Sequence, residues 1–268
     1  MITFILISSI TCVILAPLGC LVLWRKYAYF TDGFAHASTL AATIALAQNL
    51  PILYAWIFVS FIFVLLVKYM QKYSDYNAAI ALITSLFLAI SSILSQNKVN
   101  LGSILFGKIQ EVNLLNFKEL LIILIINILF FAFFYKKILI ITLSKEIAFS
   151  LGIKTNFIEI LFLMLLALSI VFAAKIVGSF FVINLILIPA LISKIISRSP
   201  LFMLLNSIII SLIPNLILLI LYYLLQNVAE QYLIEKFSAN LIIINISIYL
   251  LVIFYNKLKK SIQTNVKK

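Results

Sequence analysis

Residues 2–24 read Ile2-Thr-Phe-Ile-Leu-Ile-Ser-Ser-Ile-Thr-Cys-Val-Ile-Leu-Ala-Pro-Leu-Gly-Cys-Leu-Val-Leu-Trp24, with no charged side chain anywhere in the run. As an α-helix this stretch is about 34 Å long, enough to cross a hydrocarbon core of about 30 Å. It lacks the basic first segment of a secretory signal peptide, so it is expected to stay in the mature protein as a helix. Cys12 and Cys20 both lie within it, roughly 80° apart around the helix. They read as small core residues, with neither a disulfide framework nor a CxxC motif.

The rest of the chain repeats the pattern. Of 268 residues, 65% are hydrophobic and 10% charged, against about 45–50% and about 25% in soluble domains. Apolar runs fall at 2–24, 33–49, 51–70, 76–95, 118–135, 156–174, 177–197, 201–225 and 239–256. The expected fold is therefore all-α, a polytopic integral membrane protein of eight or nine transmembrane helices forming one transmembrane domain over residues 1–268. The eight-span version requires the short second run or the Pro189-containing seventh to be re-entrant.

The net charge of +12 is explained by membrane topology and does not call for nucleic acid as a partner. With the N-terminus outside, 15 of the 20 basic residues fall on inner segments, among them Arg25, Lys26, Lys68, Lys136, Lys137, Lys145 and Lys154, as the positive-inside rule requires. Lys98, Lys108, Lys118 and Lys236 fall outside, offset by Glu111, Glu119, Glu230 and Glu235. The C-terminus is then inside, and residues 257–268 form a basic tail suited to an anionic inner leaflet.

Two connections exceed a tight turn. The inner one, 136–155, contains Ser144-Lys-Glu-Ile-Ala-Phe-Ser-Leu-Gly152, in which Ser144 is a candidate N-cap and Gly152 a candidate terminator. A short helix there would lie along the inner membrane face as a docking surface. The outer one, 96–117, holds Leu105-Phe-Gly107 and mixed charges and could meet an external partner.

The chemistry concentrates in Trp24-Arg-Lys-Tyr-Ala-Tyr-Phe-Thr-Asp-Gly-Phe-Ala-His-Ala-Ser38. Asp32 and His36, the latter the only histidine, are four apart and share a helix face. Carboxylate plus imidazole suits zinc, manganese or iron, and ionisable groups inside a span point to function. Two ligands cannot close a tetrahedral zinc site, but two copies of the chain around a pore would supply four, a set open enough for an ion in transit. The structural alternative has Asp32 N-capping the second helix and His36 hydrogen-bonded within the bundle.

Lys175, Asn184 and Pro189 are secondary candidates for the pathway or its gating, because broken helices and intramembrane polar groups mark transporter substrate paths. Snorkelling of Lys175 to the interface and plain helix packing are the simpler explanations. The sequence has no GxxxxGK[ST] loop, HExxH or GxSxG motif, so no nucleotide hydrolysis or common intramembrane hydrolysis is expected of the chain itself.

Several fragments taken in order resemble the permeases of ABC-type zinc, manganese and iron importers, most nearly the high-affinity zinc-uptake branch. They are Ala16-Pro-Leu-Gly-Cys20, Trp24 through Asp32 with Ala35-His-Ala37, Val99-Asn-Leu with Leu105-Phe-Gly107, Ile147-Ala-Phe-Ser-Leu-Gly152, Ala174-Lys-Ile-Val-Gly178 and Leu187-Ile-Pro-Ala190. The resemblance covers nearly the whole chain. It implies a type II ABC importer permease in the bacterial cytoplasmic membrane and a second copy of the chain. It also implies a cytoplasmic ATPase dimer and a periplasmic or extracellular metal-binding protein. Zinc, or manganese or iron, would be the transported substrate. No cofactor would be permanently bound, and ATP would act only through the partner.

By the same resemblance Asp32 and His36 match the family's permeation-path Asp and His. The 144–154 segment, with Glu146, Ala148, Leu151 and Gly152, matches the coupling helix seated in the ATPase. Family members commonly carry more loop histidines and a more basic stretch after the proline of the seventh run than Lys194 and Arg198. The alternative from another class is a non-transporting membrane scaffold, with an intramembrane enzyme a distant third.

Overall fold

The computed structural model describes residues 2–48, 50–95, 114–235 and 237–266. Every regular element among them is a helix: α1 (Ile2–Arg25), α2 (Ala28–Ala47), α3 (Ile52–Met70), α4 (Tyr76–Leu94), α5 (Leu114–Leu143), α6 (Lys145–Ser150), α7 (Thr155–Val177), α8 (Ser179–Ile196), α9 (Pro200–Glu235) and α10 (Phe237–Val266). Nine long helices thus occupy the nine apolar runs, and the six-residue α6 falls in the inner connection. Among the described residues six helices, α1, α4, α5, α7, α9 and α10, are long and apolar enough to cross a membrane. The apolar stretches Tyr54–Met70 and Phe181–Ile196 are shorter. The outer connection, with Leu105-Phe-Gly107, lies outside the described residues.

Three boundaries differ from the sequence reading. Helix α2 begins at Ala28, before the first apolar position at 33, because Phe30 is fully buried and its packing carries the helix through Asp32-Gly33. Helix α5 continues to Leu143, through Lys136 and Lys137. Both lysines are good helix formers, and Lys137 places its ammonium 5.5 Å from the Phe134 ring. At the other end of the chain, α10 runs to Val266, so most of the basic tail is helical.

Between lipid-exposed helices no hydrophobic force drives association, so close van der Waals fit must hold the bundle. Helices α1 and α7 are the most enclosed. Helix α2 is wedged between α3 and α4 and also packs on α7 and α8. Its inner face is aromatic. Phe34 meets Phe63 of α3 edge-on at 5.0 Å, Phe30 meets the same ring at 5.6 Å, and Phe63 meets Phe87 of α4 at 5.4 Å. Such pairs contribute about 0.5–1.5 kcal/mol each beyond area burial.

Gly33 sets the α2–α4 approach. A Cβ there would lie 2.6 Å from Ile80 Cγ2 and 2.6 Å from Thr84 Oγ1, so only glycine lets the two helices sit this close.

Candidate functional site

Residues two apart on a helix point about 200° from each other. The order Phe30, Asp32, Phe34, His36 therefore turns the aromatic rings into the α3–α4 wall and the ionisable groups to the opposite side. From Phe30 to Ala45, Asp32, His36 and Ile44 are the α2 residues that are not buried. The Asp32 side chain is 51% exposed and that of His36 23%. His36 Nε2 lies 3.6 Å from Asp32 Oδ1. Two ligands on one tetrahedral zinc ion, with bonds of about 2.0–2.1 Å, sit roughly 3.3 Å apart. The pair is thus within a few tenths of an ångström of a shared-ion geometry with no backbone change.

Asp32 lies in the second turn of α2. The N-cap position belongs to Tyr27, whose side chain makes no capping hydrogen bond, so the N-cap reading of Asp32 does not hold. The main chain reverses just before, where Lys26 adopts φ 58° and the Tyr27 N–H donates to the Val22 carbonyl at 2.9 Å. Among the described residues no group of three or more His, Cys, Asp or Glu could hold a metal. Among the described residues one chain therefore offers two candidate ligands on an open helix face.

The second functional element is α6. Ser144 is extended at φ −157° and its hydroxyl accepts from the Ile147 N–H at 3.2 Å while donating to Glu146 Oε2 at 2.5 Å. That hydrogen bond holds the Glu146 carboxyl below the usual carboxylate range. At the other end the Gly152 N–H donates to the Phe149 carbonyl and the Ile153 N–H to the Ala148 carbonyl, the paired closure of a Schellman stop. Gly152 at φ 70° makes that stop possible.

Ala148 is fully buried and pins α6 to the bundle, while Ile147, Phe149 and Leu151 are 56%, 79% and 61% exposed. A helix this short cannot persist alone. Its caps and Ala148 hold it, leaving Ile147 and Leu151 exposed on one side of it and Phe149 on the other.

Of the secondary candidates, Asn184 is half-buried and Pro189 buried on α8, a helix that packs on both α1 and α2. Lys175 falls near the end of α7, its side chain outside the described set. The structure keeps these three on other helices than the Asp32–His36 pair.

A residue missing from the sequence candidates is Glu159 of α7. Its side chain is 4% exposed, and it accepts from Arg25 Nη2 and the Tyr27 hydroxyl on Oε1 and from Lys68 Nζ on Oε2. Lys145 Nζ of α6 stands 3.8 Å from Oε1. A cavity of about 830 Å³ opens beside this cluster, lined among others by Trp24, Tyr76, Ser144 and Glu146. The signal available in sequence was a lone carboxylate inside the 156–174 apolar run, where an unpaired charge is costly. The three groups that hydrogen-bond to it lie 91 to 134 positions away, so no local spacing announces them.

Fold and site together define a polytopic α-helical membrane protein with an exposed Asp–His pair on one helix and a short capped helix bearing exposed apolar side chains at the basic end of the bundle. The chain belongs to the ABC 3 transport family, whose profile matches residues 1–256. It is 30% identical over 206 residues to the high-affinity zinc uptake system membrane protein ZnuB of Buchnera aphidicola subsp. Acyrthosiphon pisum, covering 74% of this chain and 78% of that one. It is 24% identical over 192 residues to the manganese import system permease protein ScaB of Streptococcus gordonii, covering 70% and 69%. The fold is shared with PsaBC from Streptococcus pneumoniae in complex with Fab, at TM-score 0.80, 22% identity and coverage of 96% and 94%.

Proposed function

We propose that this chain is the membrane-spanning permease subunit of an ATP-driven importer of a divalent metal ion, with zinc as its substrate. The observation that carries the reading is the Asp32–His36 pair, 3.6 Å apart on the open face of a helix that is largely buried between Phe30 and Ala45. Membership of a transport family supports the role. The zinc-uptake relative at 30% identity favours zinc.

Two copies related by a two-fold axis, with α2 facing α2, would place two carboxylates and two imidazoles around one ion. Two imidazole nitrogens and two carboxylate oxygens would make up the tetrahedral set that zinc takes.

By the positive-inside rule the end bearing Arg25, Lys68, Lys145 and Lys154 is cytoplasmic, which puts the N-terminus outside and the chain in the cytoplasmic membrane. Helix α6 then presents Ile147, Phe149 and Leu151 to a cytoplasmic ATPase. The opposite side receives the ion from a metal-binding protein. Lys175, Asn184 and Pro189 belong to the path or its gate in this reading.

The manganese permease relative and the equal fitness of Asp and His for manganese support a second reading with the ion changed. Vesicles holding the permease, its ATPase and its metal-binding protein decide the matter. Zinc uptake that needs ATP and disappears in Asp32→Ala and His36→Ala, with normal membrane insertion, is the expected result. Manganese uptake indifferent to excess zinc would reassign the ion. Uptake unaffected by either substitution would remove the pair from the path, and a wild-type chain that takes up no metal would leave only a scaffold.

A further inference from the structure

We propose that Glu159 is the positioning residue that ties the docking helix α6 to the head of α2, so that displacement of α6 is felt at Asp32 and His36. The inference rests on the transport reading above. One carboxylate gathers groups from four other places in the chain: Arg25 at the end of α1, Tyr27 just before α2, Lys68 near the end of α3 and Lys145 at the start of α6.

The attachments are unequal. Arg25 and Lys68 are 7% and 18% exposed and bond directly, and Arg25 also donates to the Tyr27 hydroxyl at 3.1 Å with its guanidinium 5.3 Å from the ring centre. Lys145 is 63% exposed and stands off at 3.8 Å, a contact that solvent screens and small motions break. The firm contacts therefore hold α1, α2 and α3 to α7, and the yielding one belongs to α6, which carries the exposed Ile147 and Phe149.

Three cations share one acid. When Lys145 approaches or leaves, the remaining donors compete differently for the two oxygens, because a buried carboxylate cannot turn to water instead. The adjoining cavity gives the Lys145 side chain room to do so. The group most directly moved is Tyr27, whose ring stacks on Phe162 at 6.2 Å and packs against the tilted ring of Tyr76 at 5.0 Å. Tyr27 precedes Asp32 by five residues, about 7.5 Å along the α2 axis. Coupling between two sites requires an element that both of them bias, and the head of α2 meets that requirement.

The test is the number of metal ions moved per ATP hydrolysed by the assembled permease, ATPase and metal-binding protein in vesicles. Glu159→Gln keeps the shape and loses the charge. Tyr27→Phe keeps the ring stack and loses only the hydroxyl link. In both, ATP hydrolysis is expected to stay within about twofold of wild type while metal moved per ATP falls about fivefold or more, the lower end of ordinary site-to-site coupling. Lys145→Arg should retain the wild-type ratio and Lys145→Gln should lower it.

Should Glu159→Gln fail to insert, Tyr27→Phe decides alone. A wild-type ratio in Tyr27→Phe, or uptake and hydrolysis falling together in proportion to the protein in the membrane, overturns the inference while leaving transport intact. A wild-type chain that moves no metal overturns the transport reading, and this inference with it.

Discussion

Adding one methyl group at Gly33 tests whether α2 is held where its ligand pair needs it, without touching either ligand. In Gly33→Ala the new Cβ meets Ile80 Cγ2 at 2.6 Å, against about 3.5–4.0 Å for relaxed carbon contacts, a deficit of roughly 1 Å. Thr84 Oγ1 is equally close, but that hydroxyl is buried without a hydrogen-bond partner, so nothing prevents its rotation. Ile80 is 2% exposed and, being β-branched in a helix, is confined to one rotamer. The strain must come out in Ile80 or in the α2–α4 distance, at about 1–3 kcal/mol for overpacking of this kind.

Thermal unfolding of the detergent-solubilised protein should fall by several degrees, at about 2–4 °C per kcal/mol for a chain of this order. If α2 yields by moving, metal affinity at Asp32–His36 should weaken by roughly 5- to 150-fold, the ratio equivalent to that energy. Ile80→Ala makes room for the methyl. Gly33→Ala with Ile80→Ala should therefore be less destabilised than the sum of the single variants by about 1–3 kcal/mol. Additive single effects, or a Gly33→Ala protein with wild-type stability and metal uptake, would refute the close approach and the positioning argument built on it.

Ser144→Ala removes the N-cap of α6 and should cost about 1 kcal/mol locally, read as weaker co-purification of the ATPase at unchanged membrane abundance. Phe149→Asp puts a charge on the most exposed apolar position of that helix and should abolish co-purification without lowering the melting temperature, since the side chain touches little of the bundle. Gly152→Ala must hold a side chain at φ 70° and should destabilise α6 by about 1 kcal/mol, whereas Gly152→Asn, tolerant of that conformation, should lose less. Limited proteolysis within residues 144–154 separates the two Gly152 variants.

The helices were legible because a membrane leaves few options: uninterrupted apolar runs must be helical to satisfy their own backbone. What sequence could not supply were the ends. Asp32-Gly33 has the look of a turn, and only the burial of Phe30 and Phe34 against Phe63 keeps α2 helical through it. Lys136-Lys137 has the look of a loop, yet α5 passes through both.

The site divides the same way. Asp32 and His36 are four apart, so one helix suffices to bring them together and the spacing already states it. The caps at Ser144 and Gly152 are equally local. Glu159 owes its surroundings to α1, α3 and α6, which only the folded bundle assembles. The exposed side of α2 was also beyond sequence, since it depends on which neighbours cover the other faces.

The alternation of Phe30, Asp32, Phe34 and His36 makes the length of the chain between Lys26 and His36 a fixed quantity. Lys26, at its positive φ, is the point from which the phase of α2 is counted. One residue inserted after it would rotate everything beyond by about 100°, swinging Asp32 and His36 toward the wall of rings and driving Phe34 out of it. Two inserted residues would come close to exchanging the faces. The turn at Gln71–Asp75 is five residues long and can take up an added residue before Tyr76, so the phase of α4, fixed by Ile80 and Thr84 against Gly33, need not follow its length. Variation in chain length ought therefore to be nearly absent from the two-residue turn before α2 and more frequent in the five-residue turn before α4.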